Sequence, residues 1–138
     1  MIESGTKKRV AKKQGHLVFD KYDLYTKAVQ SPAGDVEFLS KTYKEIKGKE
    51  AKSLREDFCG TFAISSNWVK REKNHIAYGV DLDPEPMEYG KAHYLKKLSS
   101  EQQKRLHLIE GDVLQVQLPK VDVTAALNFS YFLFKKRE

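Results

Sequence analysis

Ser53–Asp57 and Ile76–Asp81 are two short strand-like runs, each closing on a carboxylate, with a segment of helical period, Phe62–Arg71, between them. The alternation continues. Pro84 or Pro86 opens a second helix, with Met87, Gly90, Tyr94, Leu95 and Leu98 on its inner face, and two further strand-like runs follow at Leu106–Glu110 and Val121–Leu127. Proline is tolerated in a first helical turn because its missing N–H would be unpaired there anyway. A chain that alternates strands and helices at this spacing folds through right-handed crossovers into a parallel sheet. Such a sheet binds its ligand at the carboxyl ends of its strands, so the residues just after each strand are the ones to read for chemistry.

Upstream, Ser31-Pro32-Ala33-Gly34 is a turn signal. Val36, Leu39, Tyr43 and Ile46 recur at three- and four-residue spacing, which predicts a helix over 36–47 with Asp35 as its cap and Gly48 as its stop. Ser100 with Gln103 predicts a capping box on a short helix before the third strand. Leu17, Val18, Phe19, Tyr22, Leu24 and Tyr25 form an apolar and aromatic cluster that must dock somewhere, whereas residues 1–15 lack any apolar period. The predicted organisation is a basic flexible arm at 1–15, an N-terminal helical segment at 16–50 and the α/β unit at 51–138.

Charge is uneven. Residues 1–55 hold 13 Lys and Arg against 7 Asp and Glu, whereas residues 56–138 hold 12 of each. A basic arm of this kind either is a solvated tail or holds nucleic acid through phosphate contacts. No apolar run approaches the roughly 20 residues of a membrane helix, and no signal-peptide core follows the N-terminal lysines. The single cysteine, Cys59, excludes an internal disulfide. These features predict a cytoplasmic chain without a membrane partner. His16, His75, His93 and His107 show no metal-ligand spacing, so no metal site is expected. Cys59 has only Arg55 near it in sequence to stabilise a thiolate and is read as buried, not nucleophilic.

The string Leu54-Arg55-Glu56-Asp57-Phe58-Cys59-Gly60-Thr61-Phe62, followed by Gly79-Val80-Asp81-Leu82-Asp83-Pro84, resembles the cofactor half of a class I S-adenosylmethionine-dependent methyltransferase, and in particular an uncharacterised subgroup of that family. An upstream Ala28-Val29-Gln30-Ser31-Pro32 is also similar, so the resemblance covers about residues 20–138. The family's usual acid-x-Gly-x-Gly-x-Gly turn is represented by Glu56 and Gly60, with Phe58 and Phe62 at the outer glycine positions. The resemblance implies a Rossmann-like methyltransferase fold, a mostly parallel sheet with flanking helices, in the strand order 3-2-1-4-5-7-6. This chain reaches the fourth strand, so it is read as truncated after strand 4, the N-terminal part of a domain roughly 100 residues longer. Strand 4 then becomes an open edge, and such edges invite self-association.

The cofactor implied is S-adenosyl-L-methionine. On this resemblance Glu56, directly or through water, faces its amine. Phe58, Cys59, Gly60 and Thr61 form the turn, where Gly60 lets backbone approach the ligand. Asp81, 25 residues after Glu56, accepts from the ribose hydroxyls, and Leu82 packs on the adenine. Asp112 accepts from the adenine amino group, beside the Val113 amide. Each acid has a plainer reading as a cap or turn residue, and Asp83 is read as the cap of the Pro84 helix. Asn128 is placed to hold the methionyl group or an acceptor, and Asn128 and Tyr131 are the weak catalytic candidates. Tyr22 and Tyr25 are either part of a lid or N-terminal packing. The methyl acceptor is a small molecule, RNA or protein. Two other readings stay open: a fragment of an NAD(P)-binding Rossmann oxidoreductase, which lacks here the Gly-x-Gly-x-x-Gly turn, and a non-catalytic nucleic-acid- or protein-binding module on a methyltransferase-like scaffold.

Overall fold

The computed structural model describes residues 31–127. Helix α1 (Pro32–Lys47) leads into strand β1 (Ser53–Asp57), then α2 (Ala63–Arg71), β2 (Ile76–Asp81), α3 (Pro84–His93), a 3₁₀ turn (Leu95–Lys97), α4 (Ser100–Lys104), β3 (Leu106–Glu110) and β4 (Val123–Ala125). The four strands form one parallel sheet in the order β3-β2-β1-β4. The parallel α/β sheet is the one expected from the strand–helix alternation, and its order is the Rossmann-like 3-2-1-4 that the family resemblance implies. No helix among the described residues is long and apolar enough to cross a membrane.

The register puts Leu54 and Glu56 beside Ala77 and Gly79 of β2 and Val123 and Ala125 of β4. Strand side chains alternate between faces. Leu54, Ala77 and Ala125 therefore point with Glu56 to the helical side, where Phe62, Ile64, Trp68 and Val69 complete the core. Helix α1 adds Val36, with Leu39 and Tyr43 packed at the edge of the core. Arg55 points the other way. The two faces differ because β1, β2 and β3 advance in one direction and the chain then reverses past β1 to β4. Right-handed crossovers in opposite directions use opposite faces. Residues 111–122, without a helix, make that return crossing. The strand-order reversal between β1 and β4 is where open α/β sheets leave a crevice.

Several boundaries differ from the sequence expectation for clear reasons. The cap of α1 is Ser31, whose Oγ accepts from the Gly34 amide at 3.4 Å, and Asp35 sits in the first turn. Pro32 opens that helix, so the turn signal is itself the helix start. Gly48 ends α1 in the left-handed conformation, φ 73°. The capping box lies one residue earlier than expected, on Ser99 and Gln102. Strand β4 spans Val123–Ala125, shorter than 121–127, and it starts after Asp122 because that residue is used otherwise. Its carboxylate accepts from the amides of Lys52 at 2.7 Å and Ser53 at 3.1 Å, which staples the return crossing to the start of β1.

Candidate functional site at the carboxyl edge of the sheet

The turn after β1 has an unusual backbone. Phe58, Gly60 and Phe62 all have positive φ, at 58°, 56° and 50°. The three positions that the family pattern fills with glycine thus keep a glycine-like conformation although two carry phenylalanine. A non-glycine residue there costs about 1–3 kcal/mol. Phe62 offsets the strain by burial. It is 0% exposed, lies edge-on to Tyr94 at 6.4 Å and closes on Gly90 of α3. A Cβ on Gly90 would stand 2.3 Å from the Thr61 carbonyl and 2.5 Å from the Phe62 ring, so the helix approaches this closely only as glycine. Phe58 is only half-buried.

Asp81 binds this turn directly. Its Oδ2 accepts from the Gly60 amide at 2.8 Å and its Oδ1 from the Asp83 amide at 3.0 Å. Each carboxylate oxygen has room for a further donor, and Asp81 is half-buried at the end of β2. The Cys59 amide goes to the Val80 carbonyl at 2.9 Å. Among the described residues the Thr61 amide has no hydrogen-bond partner. Cys59 itself is 1% exposed, and burial pushes its thiol far up, as its reading as a packing residue required.

Glu56 turns inward. Its Oε1 accepts from the Ser65 amide at 3.0 Å and the Ser65 hydroxyl at 2.6 Å, at the start of α2. The side chain is 2% exposed, and burial pushes its carboxyl up to about 7, the Ser65 hydrogen bonds pulling the other way. Ser65 is the partner that sequence reading missed, nine residues away on a different element.

The loop after β3 is built on Asp112, whose Oδ1 accepts from the Leu114 amide at 2.9 Å and whose carbonyl accepts from Gln115 and Val116. The loop is joined to β2 by the Gly111 amide and the Asp81 carbonyl, 2.9 Å apart. A further long-range hydrogen bond reaches β1, where Arg55 Nη2 donates to the Val113 carbonyl at 2.8 Å while Arg55 Nε is paired with Asp57 at 2.6 Å. Leu82 and Leu114 stand 66% and 64% exposed on the loops after neighbouring strands β2 and β3. Leu114 was not foreseen from sequence. Thus Glu56, the 58–62 turn, Asp81, Leu82, Asp112 and Val113 all lie at one edge of the sheet. Tyr22, Tyr25, Asn128 and Tyr131 lie outside the described residues. No cluster that could hold a metal ion occurs among the described residues.

No protein-family model matches this chain, and no curated protein sequence matches it. Among solved structures it is similar to CalS10, an amino pentose methyltransferase from Micromonospora echinaspora with S-adenosylmethionine bound, with a TM-score of 0.59 and 18% identity over 80% of this chain and 43% of that one. It is similar to the plantazolicin methyltransferase BpumL in complex with S-adenosylhomocysteine, with a TM-score of 0.57 and 17% identity over 75% of this chain and 38% of that one. It also resembles the methyltransferase domain of bacterial CtHen1-CN, at a TM-score of 0.53 and 20% identity over 65% of this chain and 47% of that domain. The chain spans less than half the length of each of these structures. At these identities the likeness is one of fold, and the fold is that of the Rossmann-like methyltransferases.

Proposed function

We propose that this chain carries the S-adenosylmethionine-binding part of a methyltransferase. The observation that carries the reading is the carboxyl of Glu56 seated on the Ser65 amide at the start of α2. In a dinucleotide-binding sheet that helix start receives a pyrophosphate. Here a buried acid takes its place, and Asp81, Asp83 and Asp112 lie along the same edge. An acidic edge suits a cationic nucleoside with an ammonium group and a sulfonium and opposes a diphosphate. This favours S-adenosylmethionine over a nicotinamide dinucleotide.

The donor set fits that cofactor. Asp81 offers its remaining lone pairs to two ribose hydroxyls. Leu82 and Leu114 offer apolar surface to a purine, with Asp112 and the Val113 amide at its rim. The 58–62 turn is proposed to face the methionyl end, where the Thr61 amide is available to the carboxylate; Glu56, buried on Ser65, acts on the amine through an intervening water. Asn128 is proposed to hold the methionyl group or the acceptor, and Asn128 and Tyr131 are the candidate catalytic residues. When bound, the cofactor supplies a methyl group already activated on a sulfonium. The chain's residues need only bind it, fix its orientation and exclude water from it. The acceptor is proposed to be a small molecule, RNA or protein; the basic residues 1–55 make RNA the first to test.

Calorimetric titration with S-adenosylmethionine, with a nicotinamide dinucleotide as control, tests the reading. Saturable binding of the first alone supports it. Binding of the dinucleotide alone overturns it in favour of an oxidoreductase fragment.

A further inference from the structure

We infer that Arg55 is a positioning residue for the purine-facing loop 111–116, and that it confers selectivity for adenine on the site. The inference rests on the cofactor reading above. Arg55 sits in the middle of β1, pointing to the face opposite Glu56. Its guanidinium is held by Asp57 on one side at 2.6 Å and holds the Val113 carbonyl on the other at 2.8 Å, across 58 residues of sequence. The side chain is 16% exposed and its Asp57 partner 13%, so water competes poorly for either bond.

The geometry explains why an arginine is needed. β3 is two strands from β1, with β2 between them. A loop leaving β3 reaches β1 only by folding back over the end of β2. The planar fork satisfies both tasks at once: Nε is fixed by the carboxylate, and Nη2 is thereby aimed at the loop. A lysine has one charged head and cannot hold two partners in a fixed plane. The far end of the return crossing is secured independently, by Asp122 on the Lys52 and Ser53 amides and by the β4 ladder. Removing Arg55 therefore leaves the sheet closed and the Gly111 amide on Asp81, and loosens the turn that carries Asp112 and Val113 from β1. Those two groups distinguish an adenine amino group from other substituents, so their placement decides base selectivity.

The test compares S-adenosylhomocysteine with S-inosylhomocysteine, which replaces the purine amino group by a carbonyl, in the full chain and in Arg55→Lys. Wild type should prefer the adenosyl compound by about tenfold or more, and Arg55→Lys should lose most of that preference. Amide hydrogen exchange without ligand should quicken at Leu114, Gln115 and Val116 and stay unchanged in the β1–β2 ladder. A merely structural role would weaken both ligands equally and leave the ratio intact; that ratio, or unchanged exchange in the loop, overturns the inference. If Arg55→Lys does not fold, Asp57→Asn loosens the same guanidinium and must reduce the ratio. A wild-type ratio in that variant also overturns it. A wild-type chain that binds neither nucleoside overturns the cofactor reading, and this inference with it.

Discussion

The Asp81 carboxylate accepts a 2.8 Å hydrogen bond from the Gly60 amide and so fastens the end of β2 to the turn after β1. One group thereby shapes the turn and presents its remaining lone pairs outward. Asp81→Ala should cost about 1–2 kcal/mol, because it leaves a partly buried amide without its charged acceptor. It should also abolish measurable cofactor binding. Thermal unfolding and calorimetry on the same sample separate the two effects.

Phe58 and Phe62 adopt positive φ for which L side chains are poorly suited. At Phe58, where the ring is half-buried, Ala and Gly variants lose the same ring but differ in backbone strain. Phe58→Gly should be the more stable of the two by about 1 kcal/mol, because glycine adopts positive φ without a Cβ clash. Denaturant melts would show the order, and Ala above Gly would argue against the observed turn. Phe62→Ala should cost about 3–5 kcal/mol, since it empties a fully buried aromatic site.

Gly90 lets α3 press against that turn. Gly90→Ala gains helix propensity of roughly 1 kcal/mol, but its Cβ meets the Thr61 carbonyl, a backbone atom that cannot swing aside. A net loss of about 1–3 kcal/mol is expected. Cofactor affinity should fall with it, because the shift is transmitted to the turn. A more stable variant would contradict the packing described.

Glu56 gives stability a pH dependence with an unusual sign. Its carboxyl is raised from 4.5 to about 7 in the folded chain. The folded state therefore holds a proton that the unfolded state releases above 4.5. Stability contributed by this group is greatest below pH 4.5 and declines as pH rises to about 7, by roughly 3 kcal/mol in total. Glu56→Gln keeps an acceptor for Ser65 and should flatten this decline in melts between pH 5 and 7. Cofactor binding runs the other way: an ammonium near Glu56, across a water, favours the carboxylate, so affinity should rise with pH through this range and binding should release protons.

Much of the fold was legible because each of β1, β2 and β3 is a short run of its own, bounded by loops and helix-period segments. Their observed limits coincide with those read from sequence. Caps were less legible. Ser31 and Asp35 both suit a helix start, and so do Ser99 and Ser100; only the path of the chain decides between them. The acids at the strand ends were legible as a set, since three consecutive strands place one at the same edge. What each acid binds was not. Glu56 meets Ser65 and Arg55 meets Val113 through contacts between elements, and no periodicity encodes such a pairing. The left-handed turn was half legible: Gly60 marks it directly, whereas Phe58 and Phe62 mark it only through the family's glycine pattern.

The carboxyl edge around Gly60 and Asp81 is proposed to receive an adenosyl cofactor. Amide chemical-shift mapping of the full chain during titration with S-adenosylhomocysteine tests it most directly. Saturable shifts are expected at Gly60, Thr61, Leu82, Asp83, Val113 and Leu114 and should be absent in Asp81→Ala. No saturable shifts at millimolar ligand, or shifts gathered instead in the groove between α1 and α2 lined by Ala33, Val36, Asn67, Lys70 and Arg71, would contradict it.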